Sequence, residues 1–122
     1  MNQQKESGKP VLWIGSSLKD LKSLPSEVQK DIGHSLRDIQ RGRNPGNIKP
    51  LRHLNDGIWE IRVDERNGTF RAVYTVEFRD VIIVLHVFQK KSKTGIETPK
   101  KEIDLVVERA KVARDRYLEW KK

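Results

Sequence analysis

The chain has 122 residues, 35% hydrophobic and 34% charged, and its formal net charge is +8. This length suits one domain with one core, and the lack of cysteine excludes disulfide frameworks, thiol nucleophiles and thiolate metal sites. The cation excess favours a polyanionic partner such as nucleic acid, an anionic membrane or an acidic protein, against the plainer reading that a basic surface serves solubility alone.

Residues 1–9 are polar and are expected to form a flexible tail ahead of a single domain at residues 10–122. Val11-Leu12-Trp13-Ile14 predicts a short first strand, closed by Gly15-Ser16-Ser17. Leu18, Leu21 and Leu24 then recur at helical spacing, with Ser16 or Ser17 placed to cap the helix. After Pro25, a second helix carries Val28, Ile32, Leu36 and Ile39 on one stripe, and Ser26 with Gln29 has capping-box spacing. Gly33 in its middle lowers helix propensity by roughly 1 kcal/mol relative to alanine, which a close helix contact would explain.

Arg41-Gly42-Arg43-Asn44-Pro45-Gly46 combines turn chemistry with charge, and residues 49–54 read as extended and basic. Three strands follow. In residues 58–63, Trp59, Ile61 and Val63 share one face, while Glu60 and Arg62 share the other. In residues 69–76, Phe70, Ala72 and Tyr74 oppose Arg71, Val73 and Thr75; the loop 64–68, with its Asn-Gly pair, makes these two strands an antiparallel hairpin. Residues 81–88 are apolar on both faces and should form the central strand. Thr98-Pro99 opens a last helix, with Thr98 as cap and with Ile103, Val106, Val107 and Ala110 as an apolar stripe extended by Tyr117 and Trp120.

Charges in strands are expensive to bury, so cations there point to an anion. The face with Trp59, Ile61, Val63, Phe70 and Tyr74 should meet the core, leaving Glu60, Arg62, Arg71 and Thr75 on an open face. The plainer alternative is a cross-strand salt bridge from Glu60 to one of the arginines. Lys90, Lys91 and Lys93 leave the central strand, and Lys100 and Lys101 occupy the first turn of the last helix, where the helix dipole disfavours cations. Lys49 and Arg52 add basic character before the hairpin. His34, His53 and His86 have no metal-ligand spacing, and no metal or cofactor is expected. No stretch approaches a membrane span, so a soluble, cytoplasmic protein is expected.

Three blocks in series resemble the RelE/HigB superfamily of type II toxin–antitoxin toxins, in particular its phage-derived HigB-like branch. They are residues 51–54 leading into Gly57-Ile58-Trp59-Glu60-Ile61-Arg62, then Phe70-Arg71-Ala72-Val73-Tyr74, then residues 86–94 with Pro99 and a helix holding Arg109-Ala110. The resemblance implies an α+β, RelE-like fold: a small antiparallel sheet with an N-terminal helix pair packed on it and a C-terminal helix. It implies a toxin that enters the ribosomal A site and cleaves mRNA without a metal, and a helix-turn-helix antitoxin partner.

By the same resemblance, Arg62 lies near the nucleophile and Arg71 holds the scissile phosphate. Lys91 and Lys93 supply an acid or stabilise charge, and Glu60 stands where some relatives have lysine, as a general base or a partner of Arg62. Lys49, Arg52, Lys90, Lys100 and Lys101 are candidate RNA contacts. His86, within an apolar strand, is more readily a satisfied core histidine than a base. Two alternatives remain: a gyrase inhibitor on the same fold, and a non-catalytic nucleic-acid-binding module.

Overall fold

The computed structural model describes residues 8–66, 68–90 and 98–122. Among these residues five strands form one sheet: β1 (Val11–Trp13), β2 (Ile48–Pro50), β3 (Ile58–Glu65), β4 (Gly68–Thr75) and β5 (Ile82–Lys90), in the spatial order β1-β5-β4-β3-β2. The pairs from β5 to β2 are antiparallel, and β1 joins β5 in parallel. Among the described residues three helices accompany them: α1 (Ser17–Lys22), α2 (Ser26–Gln40) and α3 (Lys100–Lys121).

The sheet is covered on both sides. On one side, Leu21, Val28, Ile32 and Leu36 from α1 and α2 pack on Ile61, Val63, Phe70, Tyr74 and Val84. On the other, Val106 and Ala113 of α3 pack on Ile58, Val73, Ile83, Leu85 and Phe88. The second cluster corrects the expectation of an open polar face. Strand β5 is apolar on both sides and α3 has a stripe to bury, so the helix closes over the face that carries the charges.

The hairpin extends further than its loop predicted, since β3 and β4 pair out to Glu65 and Gly68. Residues 52–54 form a turn rather than continuing β2. The α3 stripe is also rotated from expectation: Val106 and Ala113 are buried, whereas Val107 is 38% and Trp120 42% exposed.

Helix caps differ from the sequence pattern as well. Ser16 and Pro25 precede α1 and α2 without a side-chain cap, and Gln29 Nε2 donates instead to the carbonyls of Lys22 and Leu24, which welds the α1–α2 corner. Gly15 turns the chain from β1 into α1 at φ 56°, and a Cβ there would meet the Arg109 guanidinium at 3.1 Å. Gly33 shows no such reason: a Cβ at that position meets nothing within 4 Å among the described residues.

Candidate active site

The register places the charged residues in rows across one face. Arg62 lies directly opposite Arg71, and Arg71 opposite Phe88. One row nearer the hairpin turn, Asp64 faces Thr69 and Thr69 faces Lys90. One row the other way, Lys49, Glu60, Val73 and His86 follow one another across β2, β3, β4 and β5. The two-residue period of a strand therefore gathers Lys49, Glu60, Arg62, Arg71 and Lys90 on the α3 side of the sheet.

Most of these groups are buried. Glu60 is 1%, Arg71 2% and Lys90 5% exposed. Arg71 is held by protein groups: its Nε lies 3.6 Å from Glu60 Oε1, and its Nη1 donates to Asp64 Oδ1 at 3.2 Å and to the Phe70 carbonyl at 3.0 Å. Glu60 also accepts a 2.6 Å hydrogen bond from Thr98 Oγ1. Thr98 was expected to cap α3; Pro99 takes that place and frees its hydroxyl to cross to the sheet. Glu60 thus sits between Arg71 and Thr98, the internal-partner arrangement weighed in the sequence.

Arg62 differs from Arg71. It is half-buried, and its Nε is shielded from solvent with no hydrogen-bond partner among the described residues. It lines an open cleft of about 380 Å3 at the edge of β3, together with Asp31, His34, Asp38, Asn47 and Asp64. A buried donor without an acceptor is costly, and Arg62 carries that cost at the edge of an open cleft.

Behind Glu60, a second polar network ties α3 to β5. His86 Nε2 is 2.6 Å from Glu102 Oε1, and its Nδ1 is 3.4 Å from Arg109 Nη1. A guanidinium only donates, so Nδ1 accepts and Nε2 carries the proton directed at Glu102. Arg109 also donates to the Leu85 carbonyl at 3.0 Å and to Ser16 Oγ at 3.2 Å. His86 is a buried strut stacked on Phe88. The sequence pattern assigns Thr98 only a capping role and places neither Asp64 nor Glu102 at the site. Asp64 had a readable signal, because Glu60, Arg62 and Asp64 alternate in sign at period two; Thr98 and Glu102 reach the site only through the docking of α3.

The remaining candidates are scattered. Arg52 is exposed in the turn after β2, as is His53. Lys100 is exposed and paired with Asp104 at 3.0 Å, and Lys101 is exposed beside it on the first turn of α3. Lys91 and Lys93 lie outside the described residues. Among the described residues no group of histidines and carboxylates has metal-binding geometry, and no helix is long and apolar enough to cross a membrane.

The fold and the charged rows define a small α+β domain with a basic sheet face internally countered by carboxylates. A family model described as "Phage derived protein Gp49-like (DUF891)" matches residues 19–111. The chain belongs to that family, in keeping with the phage-derived branch its motifs resemble. No curated protein matches it in sequence. Among solved structures it is similar to a chain of the toxin-antitoxin complex RelBE2 from Mycobacterium tuberculosis, with a TM-score of 0.49 and 23% identity over 68% of this chain and 99% of that one.

Proposed function

We propose that this protein is the toxin of a type II toxin–antitoxin pair and that it cleaves mRNA in the ribosomal A site. The observation that carries the reading is the cross-strand pairing of Arg62 with Arg71 on one face, with Glu60 and Lys90 in the adjoining rows. Family membership and the three motif blocks support it.

The chemistry is attack of the RNA 2′-hydroxyl on the adjacent phosphorus, leaving a 2′,3′-cyclic phosphate and a free 5′-hydroxyl. Such a reaction needs oriented oxygens, compensation of charge on the phosphorane, and proton transfer. Arg62, half-buried at the edge of an open cleft, is the first contact for a phosphate oxygen. Arg71 follows by exchange: the Asp64 side chain on its outer side is 66% exposed, and a phosphate oxygen can displace that carboxylate while Glu60 holds the Nε side. Glu60 is the candidate base, and Lys91 and Lys93 are the candidate acid and charge stabiliser. Lys49, Arg52, Lys100 and Lys101 are candidate contacts to the RNA backbone, whereas Lys90, expected among them, is buried at the end of β5. The partner is a helix-turn-helix antitoxin, and the setting is the cytoplasm.

The test is induction in cells with mapping of transcript 5′ ends. Cuts within codons and arrested translation are expected, and Arg62→Ala should relieve both while the protein stays folded. Intact mRNA with DNA damage would instead indicate a gyrase inhibitor. No growth arrest, with salt-sensitive nucleic-acid binding, would indicate a non-catalytic module.

A further inference from the structure

Helix α3 carries a surface that the proposed chemistry does not use. The large hydrophobic side chains most exposed among the described residues, Val107, Val112, Leu118 and Trp120, all lie on this helix. Val107 and Leu118 share one helix face with Lys111 and Arg114, because these four positions are separated by steps of four, three and four residues. Beside that face runs an open groove of about 430 Å3. Leu54, Ile58, Phe78, Val107 and Ala110 line it with apolar surface, and Lys111 and Arg114 stand at its edge.

Among the described residues neither cation is in an ion pair. Glu77, also on the groove, has its carboxylate engaged by Asn55 Nδ2 at 3.0 Å and Thr75 Oγ1 at 3.4 Å. No carboxylate pairs with Lys111 or Arg114 among the described residues. An RNA strand would leave the apolar lining unused, and Phe78 already stacks on Tyr117 with ring centroids 4.6 Å apart. Apolar lining beside unpaired cations instead matches a helix with aliphatic side chains on one face and carboxylates along its flank.

The geometry points to this groove as the docking site for an acidic amphipathic helical segment of a partner protein. Its aliphatic side chains fill the space between α3 and the Leu54–Phe78 wall, and its carboxylates pair with Lys111 and Arg114. The identification of that partner as the antitoxin rests on the toxin reading above.

The experiment titrates two synthetic peptides into the full-length protein and follows its amide resonances. One peptide carries leucines at helical spacing with glutamates between them; the other has lysine in place of every glutamate. The acidic peptide should perturb Leu54, Val107, Lys111 and Arg114, and the double variant Lys111→Glu, Arg114→Glu should weaken it roughly tenfold and take up the lysine peptide instead. Equal binding of both peptides, perturbations elsewhere, displacement by a single-stranded RNA oligonucleotide, or self-association of the wild type lost in Val107→Glu would each overturn the assignment.

Induction in cells separates this inference from the toxin reading. The double variant should arrest growth like the wild type, yet escape neutralisation by the protein of the adjacent reading frame. Retained neutralisation would overturn the docking assignment. If the wild type arrests nothing while the acidic peptide still seats in the groove, the toxin reading fails and the docking site stands.

Discussion

Arg62 and Arg71 face each other directly across the β3–β4 ladder. Like charges at such a position are destabilising, and here two carboxylates offset them. Glu60 and Asp64 lie two residues either side of Arg62 on its own strand, and both reach Arg71. The arginine pair is thereby asymmetric: Arg71 is enclosed, and Arg62 Nε has no acceptor among the described residues.

Removing the enclosed guanidinium leaves Glu60 buried without its cation. Arg71→Ala should lower stability by about 3 kcal/mol, measured by urea unfolding. Loss of toxicity in that variant alone would therefore report on folding. Arg71→Lys keeps the charge but loses the planar fork; if the site is as proposed, it stays folded and no longer cuts mRNA. Full activity in a folded Arg71→Lys protein would remove Arg71 from the phosphate-binding role.

Asp64 is exposed, so its pair with Arg71 contributes little to stability, within about 1 kcal/mol. In the exchange proposed above, Asp64 competes with phosphate. Asp64→Asn should tighten binding of a single-stranded RNA oligonucleotide several-fold at low salt, read by fluorescence anisotropy. Unchanged affinity would place the phosphate away from Arg71.

Thr98 anchors the start of α3 to the buried carboxylate of Glu60 at 2.6 Å. Thr98→Val keeps the shape and removes the donor. A loss of about 1–2 kcal/mol is expected on thermal or chemical unfolding, with faster amide exchange in the first turn of α3. Wild-type protection there would mean the hydroxyl contributes nothing to docking.

At the other end of α3, Lys121 Nζ and Tyr117 Oη both donate to Asp80 Oδ2, at 2.6 and 3.0 Å. The Lys121 hydrogen bond, then that of Tyr117, holds the Asp80 carboxyl below its ordinary value, and the same bond raises Lys121 above its own. A lowered acid stabilises the fold above its unfolded value and loses that contribution as pH falls through the folded one. A raised base stabilises below its unfolded value and loses the contribution as pH rises through the folded one. The last turn of α3 should therefore fray below the normal carboxylate range and again above the normal lysine range, seen as weakened Tyr117 and Trp120 resonance dispersion. Asp80→Asn should abolish the acid-side transition.

Gly33 is exposed in the middle of α2, with open space where a Cβ would stand. The contact that would have explained it is absent among the described residues. Gly33→Ala should stabilise the protein by about 0.5–1 kcal/mol by lowering the conformational freedom of the unfolded chain. A destabilised variant would show that α2 requires glycine for a reason outside its packing.

Local sequence pattern determined the element order, apart from the short strand β2, legible only as extended chain, and much of the charged row. The stripe of Val28, Ile32 and Leu36 and the alternation of Glu60, Arg62 and Asp64 are short-range periodicities, and period two already places Arg62 and Arg71 on one face once the hairpin is drawn. Alternation says which side a strand residue takes, but not what covers that side. Only the packed chain brought α3 over the charged face, turned Thr98 from a cap into a donor to Glu60, and left Val107 outside the core. These outcomes depend on residues far apart in sequence meeting through burial of apolar surface, which no local window contains.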